Sequence, residues 1–321
     1  MTTSDSIRTA TRHAGGAVRE WTSYAGIELP ARYGEGDASR EYVALRARCG
    51  LVDASWRSII DLRGERAREV LGRVTSSRIE DVSAERGDLA CLLSPKGRLL
   101  SAFIVLEPSR DHLRLVTFEP PREEIVRELT KYAFLDDVDV VSRAGELAVL
   151  SVLGPAAAEA LSLVSPSVTS LELHGAARAE IAGAEAWIVR TGGRSVEHPD
   201  GGFDVIVESQ ASNDVWARLR EDVERAGGSP VGFAALEALR IEHGVARYGL
   251  DWTVENLPGE VGWDHALRFD RCYVGQEVVA RMRTYGSASR KLVRLALDSG
   301  ELPPAGTLVL GDGDVGDAGE D

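Results

Sequence analysis

The heptapeptide Arg271-Cys272-Tyr273-Val274-Gly275-Gln276-Glu277 decides how this chain is read. Its cysteine stands just ahead of a helical run, 278–283, with Arg268, Arg271 and Arg281 nearby in sequence and Gly275 permitting close backbone approach. A helix N-terminus and neighbouring guanidinium groups both favour thiolate, the reactive form of cysteine. The competing reading is a small, buried apolar side chain, the common fate of a lone cysteine. Cys49 and Cys91 sit inside apolar patterns, where core packing is expected. Three cysteines far apart in sequence argue against a disulfide scaffold and against a paired-cysteine zinc site. The six histidines show no metal-ligand spacing.

Upstream of the heptapeptide, residues 234–243 form a strongly helical run ended by Gly244. Before it lies an α+β pattern: strands at 148–153, 184–190 and 203–207, an alanine-rich helix after Gly154-Pro155, and an amphipathic helix over 213–226. The first part of the chain is broadly similar. Helices are expected at 40–48, 64–71 and 122–134, and strands at 58–62 and 112–118. Two apolar runs, 89–93 and 98–106, flank Ser94-Pro95-Lys96-Gly97, whose turn chemistry predicts a β-hairpin. Downstream, 291–297 alternates as a strand, 306–310 starts another, and 311–321 is acidic, glycine-rich and without a packable face. The fold class is therefore α+β.

Composition narrows the function classes. The chain has 321 residues, 44% of them hydrophobic, enough for two or three cores. Its 37 basic and 51 acidic residues give a formal charge of −14, which disfavours general nucleic-acid binding and anionic membranes. No stretch reaches the roughly 18 apolar residues of a membrane span, and residues 1–19 lack the apolar core of a secretory signal. A cytoplasmic location is expected. Lysine occurs only at 96, 131 and 291, which draws attention to Lys96 at the hairpin tip. Asp204, alternating with Phe203 and Val205, is read either as an acceptor for paired N–H donors of a heterocycle or as the polar face of an edge strand.

The heptapeptide resembles the K-G-C-Y-x-G-Q-E motif of YgfZ-type proteins, with Asp270-Arg271 in place of Lys-Gly. These are folate-binding relatives of the glycine-cleavage T-protein, an aminomethyltransferase, and act in iron–sulfur cluster assembly or repair. Three further segments are similar to the superfamily's motifs in the same order: Ser94-Pro95-Lys96-Gly97-Arg98, Leu239-Arg240-Ile241-Glu242-His243-Gly244 and Asn256-Leu257-Pro258-Gly259-Glu260. The resemblance spans roughly Gly26 to Leu297.

What the resemblance implies is a T-protein-like ring of three domains around a central folate pocket. The expected division is a disordered tail (1–20), two α+β units (21–145 and 146–285), a short C-terminal β domain (286–310) and a disordered acidic tail (311–321). Gly202-Phe203-Asp204 matches a pterin-recognising carboxylate, with Asp for Glu, and Arg240 matches an arginine that contacts folate. Lys96, Arg98, Tyr273, Gln276 and Glu277 complete the expected tetrahydrofolate-binding set, and Cys272 is the expected essential thiol. Arg98, Arg240 and Arg271 are the expected seat of the glutamate tail. The T-protein carries an acid in the strand after the hairpin, where this chain has Ser101. That departure favours an accessory role, with iron–sulfur proteins or assembly factors as partners, over an aminomethyltransferase or demethylase. No resident metal is expected.

Overall fold

The computed structural model describes residues 7–8, 18–35, 38–192, 201–286, 290–297, 303–304 and 307. The expected acidic tail 311–321, most of the N-terminal segment and most of the loop 194–201 lie outside the described residues. The chain begins with strands β1 (Ile7–Arg8), β2 (Glu20–Tyr24) and β3 (Ile27–Arg32), then helix α1 (Ser39–Ala47) and strand β4 (Gly50–Asp53). It continues through β5 (Ile59–Arg63), α2 (Ala67–Val74), β6 (Asp88–Leu93), β7 (Leu99–Ser109) and β8 (His112–Thr117). Next come α3 (Glu123–Ala133), β9 (Asp139–Ser142), β10 (Leu147–Leu153), α4 (Ala157–Ser162), β11 (Ala176–Ile181) and β12 (Ala184–Thr191). The remainder is β13 (Gly202–Glu208), α5 (Ser212–Arg225), β14 (Ser229–Pro230), α6 (Phe233–His243) and α7 (Gln276–Tyr285).

These strands make three sheets. A small one has the order β1-β3-β2, a five-stranded one β6-β7-β8-β5-β9, and a six-stranded one β11-β12-β13-β10-β4-β14. The expected hairpin is present as β6 and β7, antiparallel, with Gly97 N–H on the Ser94 carbonyl at 2.8 Å. β4 pairs with β10, placing Leu153 opposite Gly50, so strands from both sides of residue 146 share one sheet. The alternating segment 291–297 has no regular secondary structure; Leu292 N–H bonds the Glu260 carbonyl at 2.7 Å. No described helix is long and apolar enough to cross a membrane.

The helices form where periodicity and termini agree. In α3, Ile125, Leu129 and Ala133 fall on one stripe and are buried, while Glu123 and Glu124 lie in the first turn and Lys131 in the last, complementing the helix dipole. α6 ends as its sequence demands: Gly244 adopts the left-handed conformation and Val245 N–H reaches back to the Arg240 carbonyl at 3.1 Å. Between the five- and six-stranded sheets lies a shared core. Ile59, Ile104 and Val116 from one sheet cluster there with Val149, Val189 and Ile206 from the other, and with Trp252, Trp263 and Tyr273 from the C-terminal segments. The loops that carry the heptapeptide are thus anchored where the two sheets meet.

One buried charge organises the five-stranded sheet. Asp61, in β5, is fully buried and accepts from Arg114 at 2.8 and 3.0 Å and from Arg143 at 2.9 Å. Burial works against its ionisation, but hydrogen bonds from His112 and Arg114 outweigh it and hold the carboxyl well below the usual range.

Candidate functional site

Cys272 is exposed, whereas Cys49 and Cys91 are buried. Its loop is fastened to the hairpin by two glycines. Gly275 caps α7 with φ +80°, and a Cβ there would lie 2.4 Å from the Ser94 carbonyl oxygen and 2.9 Å from Leu93 Cβ. Gly97 faces the other way: its Cβ would meet Val278 Cβ at 2.9 Å. Tyr273 roots the loop in the shared core, where burial pushes its hydroxyl up to about 12. Three ion pairs join the preceding residues to the first unit: Arg268–Asp88 at 3.2 Å, Asp270–Arg78 at 2.7 Å and Arg271–Glu80 at 2.9 Å. Arg271 also donates to the carbonyls of Ser77 and Gly72.

The heptapeptide and the hairpin are therefore brought together, as a shared site requires. Lys96 stands exposed at the hairpin tip, Glu277 is exposed on α7, and Gln276 is half-buried at the helix start. The arginines expected to gather for an anionic tail are instead separately engaged. Arg98 pairs with Glu255 at 3.1 Å, Arg271 with Glu80, and Arg240 with Glu237 at 2.8 Å and with Asp251. Each guanidinium already has a carboxylate, so the three form no free basic patch. Among the described residues, no three His, Cys, Asp or Glu side chains converge as a metal-ligand set.

A second constellation lies where β13 meets β10. Asp204 is opposite Ser151 and accepts from its hydroxyl at 2.6 Å through Oδ1, and from Arg57 Nη1 at 2.7 Å through Oδ2. Arg57 Nε donates to the Thr117 carbonyl at 2.7 Å, and the guanidinium lies 4.7 Å from the Phe118 ring centre. Asp204 and Arg57 are both buried. Arg57 lines a cavity of about 20 Å³ together with Trp56, Phe118, Trp263, Arg240 and Arg247. Such a cavity has room for about one water, so a bicyclic ring would enter only by displacing part of the wall. The sequence marks Asp204 but gives no sign of Arg57, its partner 147 positions away.

The third constellation bears on the missing acid. Ser101 is fully buried in β7 and donates its hydroxyl to Glu119 Oε1. Arg122 lies 3.5 Å from the same carboxyl oxygen, donates to Tyr248 Oη at 3.1 Å and sits 4.0 Å over that ring. Burial pushes Glu119 up to about 7, against the pull of Arg122 and hydrogen bonds from Ser101 and the Ala102 amide. Glu119 Oε2 is buried without a partner among the described residues. A carboxyl group thus stands at Ser101 after all, delivered by the segment following β8. Its only sequence signal was an acid just after an alternating strand and ahead of Pro120-Pro121.

Comparison with known proteins agrees with this architecture. The GCVT N-terminal domain matches residues 10–271, and the chain belongs to that family. It thus falls in the superfamily of the glycine-cleavage T-protein, the aminomethyltransferases. An aminomethyltransferase of Xanthomonas axonopodis pv. citri (strain 306) is 28% identical over 325 residues, spanning 98% of this chain and 84% of the relative. One from Streptomyces coelicolor is 28% identical, spanning 95% and 82%. The crystal structure of glycine cleavage system aminomethyltransferase T from Bartonella henselae superposes with a TM-score of 0.73 at 21% identity, covering 84% of this chain and 73% of that one. The fold is T-protein-like. The family match stops one residue before Cys272.

Proposed function

We propose that this protein binds tetrahydrofolate and serves iron–sulfur cluster assembly or repair, with Cys272 as its working thiol. The observation that carries the reading is the setting of Cys272: an exposed thiol on a turn clasped to the hairpin through Gly97 and Gly275. An exposed sulfur on a fixed turn suits exchange with a partner protein. One cysteine cannot hold a cluster alone, so remaining ligands would come from that partner. The folate part of the reading rests on the family resemblance, since the cavity walled by Trp56, Arg57, Phe118 and Trp263 has room for about one water and is no ready pterin pocket. When bound, tetrahydrofolate would supply a one-carbon carrier. Asp204 is a poorer fit as its direct reader, because both carboxylate oxygens are engaged.

The test is activity of iron–sulfur enzymes in cells lacking this protein, complemented by the wild type or by Cys272→Ala. Wild type is expected to restore activity and Cys272→Ala to leave it low. Full restoration by the variant overturns the reading.

A second reading, aminomethyl transfer to tetrahydrofolate, is favoured by one observation: the Glu119 carboxyl beside Ser101. A buried carboxyl titrating near neutrality is suited to move a proton. Formation of methylenetetrahydrofolate from an aminomethyl donor, lost in Glu119→Gln, would establish it in place of the first.

A further inference from the structure

We infer that the small cavity beside Arg57 is a binding site for one monoatomic anion, chloride, held by the guanidinium of Arg57 and the indole N–H of Trp56. The inference stands without the folate reading and without Cys272. Its ligand is a single ion, matched to a space of about one water.

Two side chains of the wall carry buried donors without acceptors. Arg57 spends Nη1 on Asp204 and Nε on the Thr117 carbonyl, while Nη2 is buried and has no partner among the described residues. Trp56 is 2% exposed and lines the same cavity, and its Nε1 is likewise buried with no partner among those residues. A buried N–H without an acceptor is costly, and native structures rarely leave one so. Every ionisable side chain in the wall is an arginine: Arg57, Arg240 and Arg247. Their carboxylates, Asp204, Glu237 and Asp251, stand outside the lining, so positive groups border the space and the compensating charges are set back from it. The aromatic faces are already covered, Phe118 by Arg57, Trp56 by Arg247 and Trp263 by His265, which leaves room only for a ligand of atomic size.

The sign of the ligand follows from the donors. Guanidinium and indole N–H have no acceptor capacity, and a guanidinium stays protonated at any pH the protein survives. Three such cations repel a metal ion. A water could accept from both donors, but its own protons then need acceptors; the lining side chains offer none, and the Val245 carbonyl already accepts from Arg240 at 2.8 Å. A monoatomic anion only accepts, and its charge is drawn to guanidinium groups most strongly where water is excluded. Phosphate, sulfate and carboxylates exceed the space of about one water. The wall is assembled from distant parts of the chain: Trp56 and Arg57 between β4 and β5, Phe118 after β8, Arg240 on α6, and Trp263 beyond it. An ion seated there joins them, so its binding is expected to register as stability of the whole chain.

Chloride and bromide are the probes. Replacing gluconate by chloride at constant ionic strength is expected to raise the thermal midpoint of the full chain by about 2 °C, along a saturating curve. Trp56→Phe keeps a ring against Tyr24 and Arg247 and removes the N–H. It is expected to need at least tenfold more chloride for half the rise. Crystals of the wild type soaked in bromide are expected to show an anomalous peak within hydrogen-bonding distance of both Arg57 Nη2 and Trp56 Nε1. Equal midpoints in gluconate and chloride overturn the inference. So does density at that position that bromide does not replace, which marks a water, and so does a folded Trp56→Phe with the wild-type chloride response. Should Trp56→Phe fail to fold, the bromide map of the wild type decides: a peak on the two donors upholds the site, and its absence overturns it.

Discussion

Gly275 stands so near Ser94 that a Cβ on the glycine would lie 2.4 Å from the serine carbonyl oxygen, and it does so at φ +80°. Sterics and backbone conformation both demand glycine there. Gly262 provides the control, since it has φ +83° but nothing within 4 Å of its would-be Cβ. Gly262→Ala is expected to lose about 1–2 kcal/mol, the cost of the left-handed conformation alone. Gly275→Ala should lose clearly more, because backbone must move. Urea midpoints of the two variants check this, and equal losses would show that the hairpin contact contributes nothing.

Alkylation should single out one thiol. Cys49 and Cys91 are fully buried, and burial pushes the Cys49 thiol up to about 11 and that of Cys91 further in the same direction. Native protein treated with iodoacetamide is expected to gain one label, read by mass spectrometry, and Cys272→Ser none. Two or more labels on folded wild type would contradict the burial of the other pair.

Glu119 makes stability depend on pH in an unusual sense. Its carboxyl is raised from 4.5 to about 7 in the folded state, so between those values the native protein holds a proton that the unfolded chain has released. Stability conferred at low pH is then lost as pH rises through this window, by on the order of 3 kcal/mol. Glu119→Gln removes the titration. Unfolding midpoints at pH 5 and pH 8 should differ less in the variant than in wild type, with the variant gaining relative stability at pH 8.

Asp61 has the opposite sign. Its folded-state carboxyl lies below its usual 3.8, so its contribution is full above that value and fades as pH falls beneath it. Asp61→Asn leaves Arg114 and Arg143 without their buried counter-ion and is expected to cost about 3–5 kcal/mol at pH 7. Thermal unfolding at pH 7 and pH 3 measures both effects, and a loss under 1 kcal/mol at pH 7 would deny Asp61 its organising part.

Local chemistry made much of the fold legible. The hairpin turn at Ser94–Gly97, the stop at Gly244 and the apolar stripe of α3 are all signals within a few residues. β11 was missed because Ala176–Ile181 reads AARAEI, rich in alanine and poor in β-branched residues, as an edge strand with one half-exposed face permits. Helix α2 starts at Ala67, three residues after the expected position, because Gly64 is held in a turn whose carbonyl bonds Ala67 N–H at 3.0 Å. At the site, Cys272 and the hairpin were visible as separate motifs, while their clasp was not. The least legible features were pairings at long range. Arg57 meets Asp204 only because sheet order brings distant strands side by side, and no local pattern encodes that, whereas Glu119 meets Ser101 through the register of the adjacent β7–β8 hairpin, in which Phe103 pairs with Thr117.

The place of β4 has a practical consequence. Its four residues come from near the start of the chain yet flank β10 in the six-stranded sheet, with β14 on their other side. Producing the segments before and after 145–146 as separate proteins would deprive the later one of β4 beside β10 and leave β4 on the earlier one, each with unpaired backbone that invites aggregation. Neither half is an independent cassette for expression or domain exchange. Proteolysis there should yield a nicked but associated particle, and the chain should melt in one step.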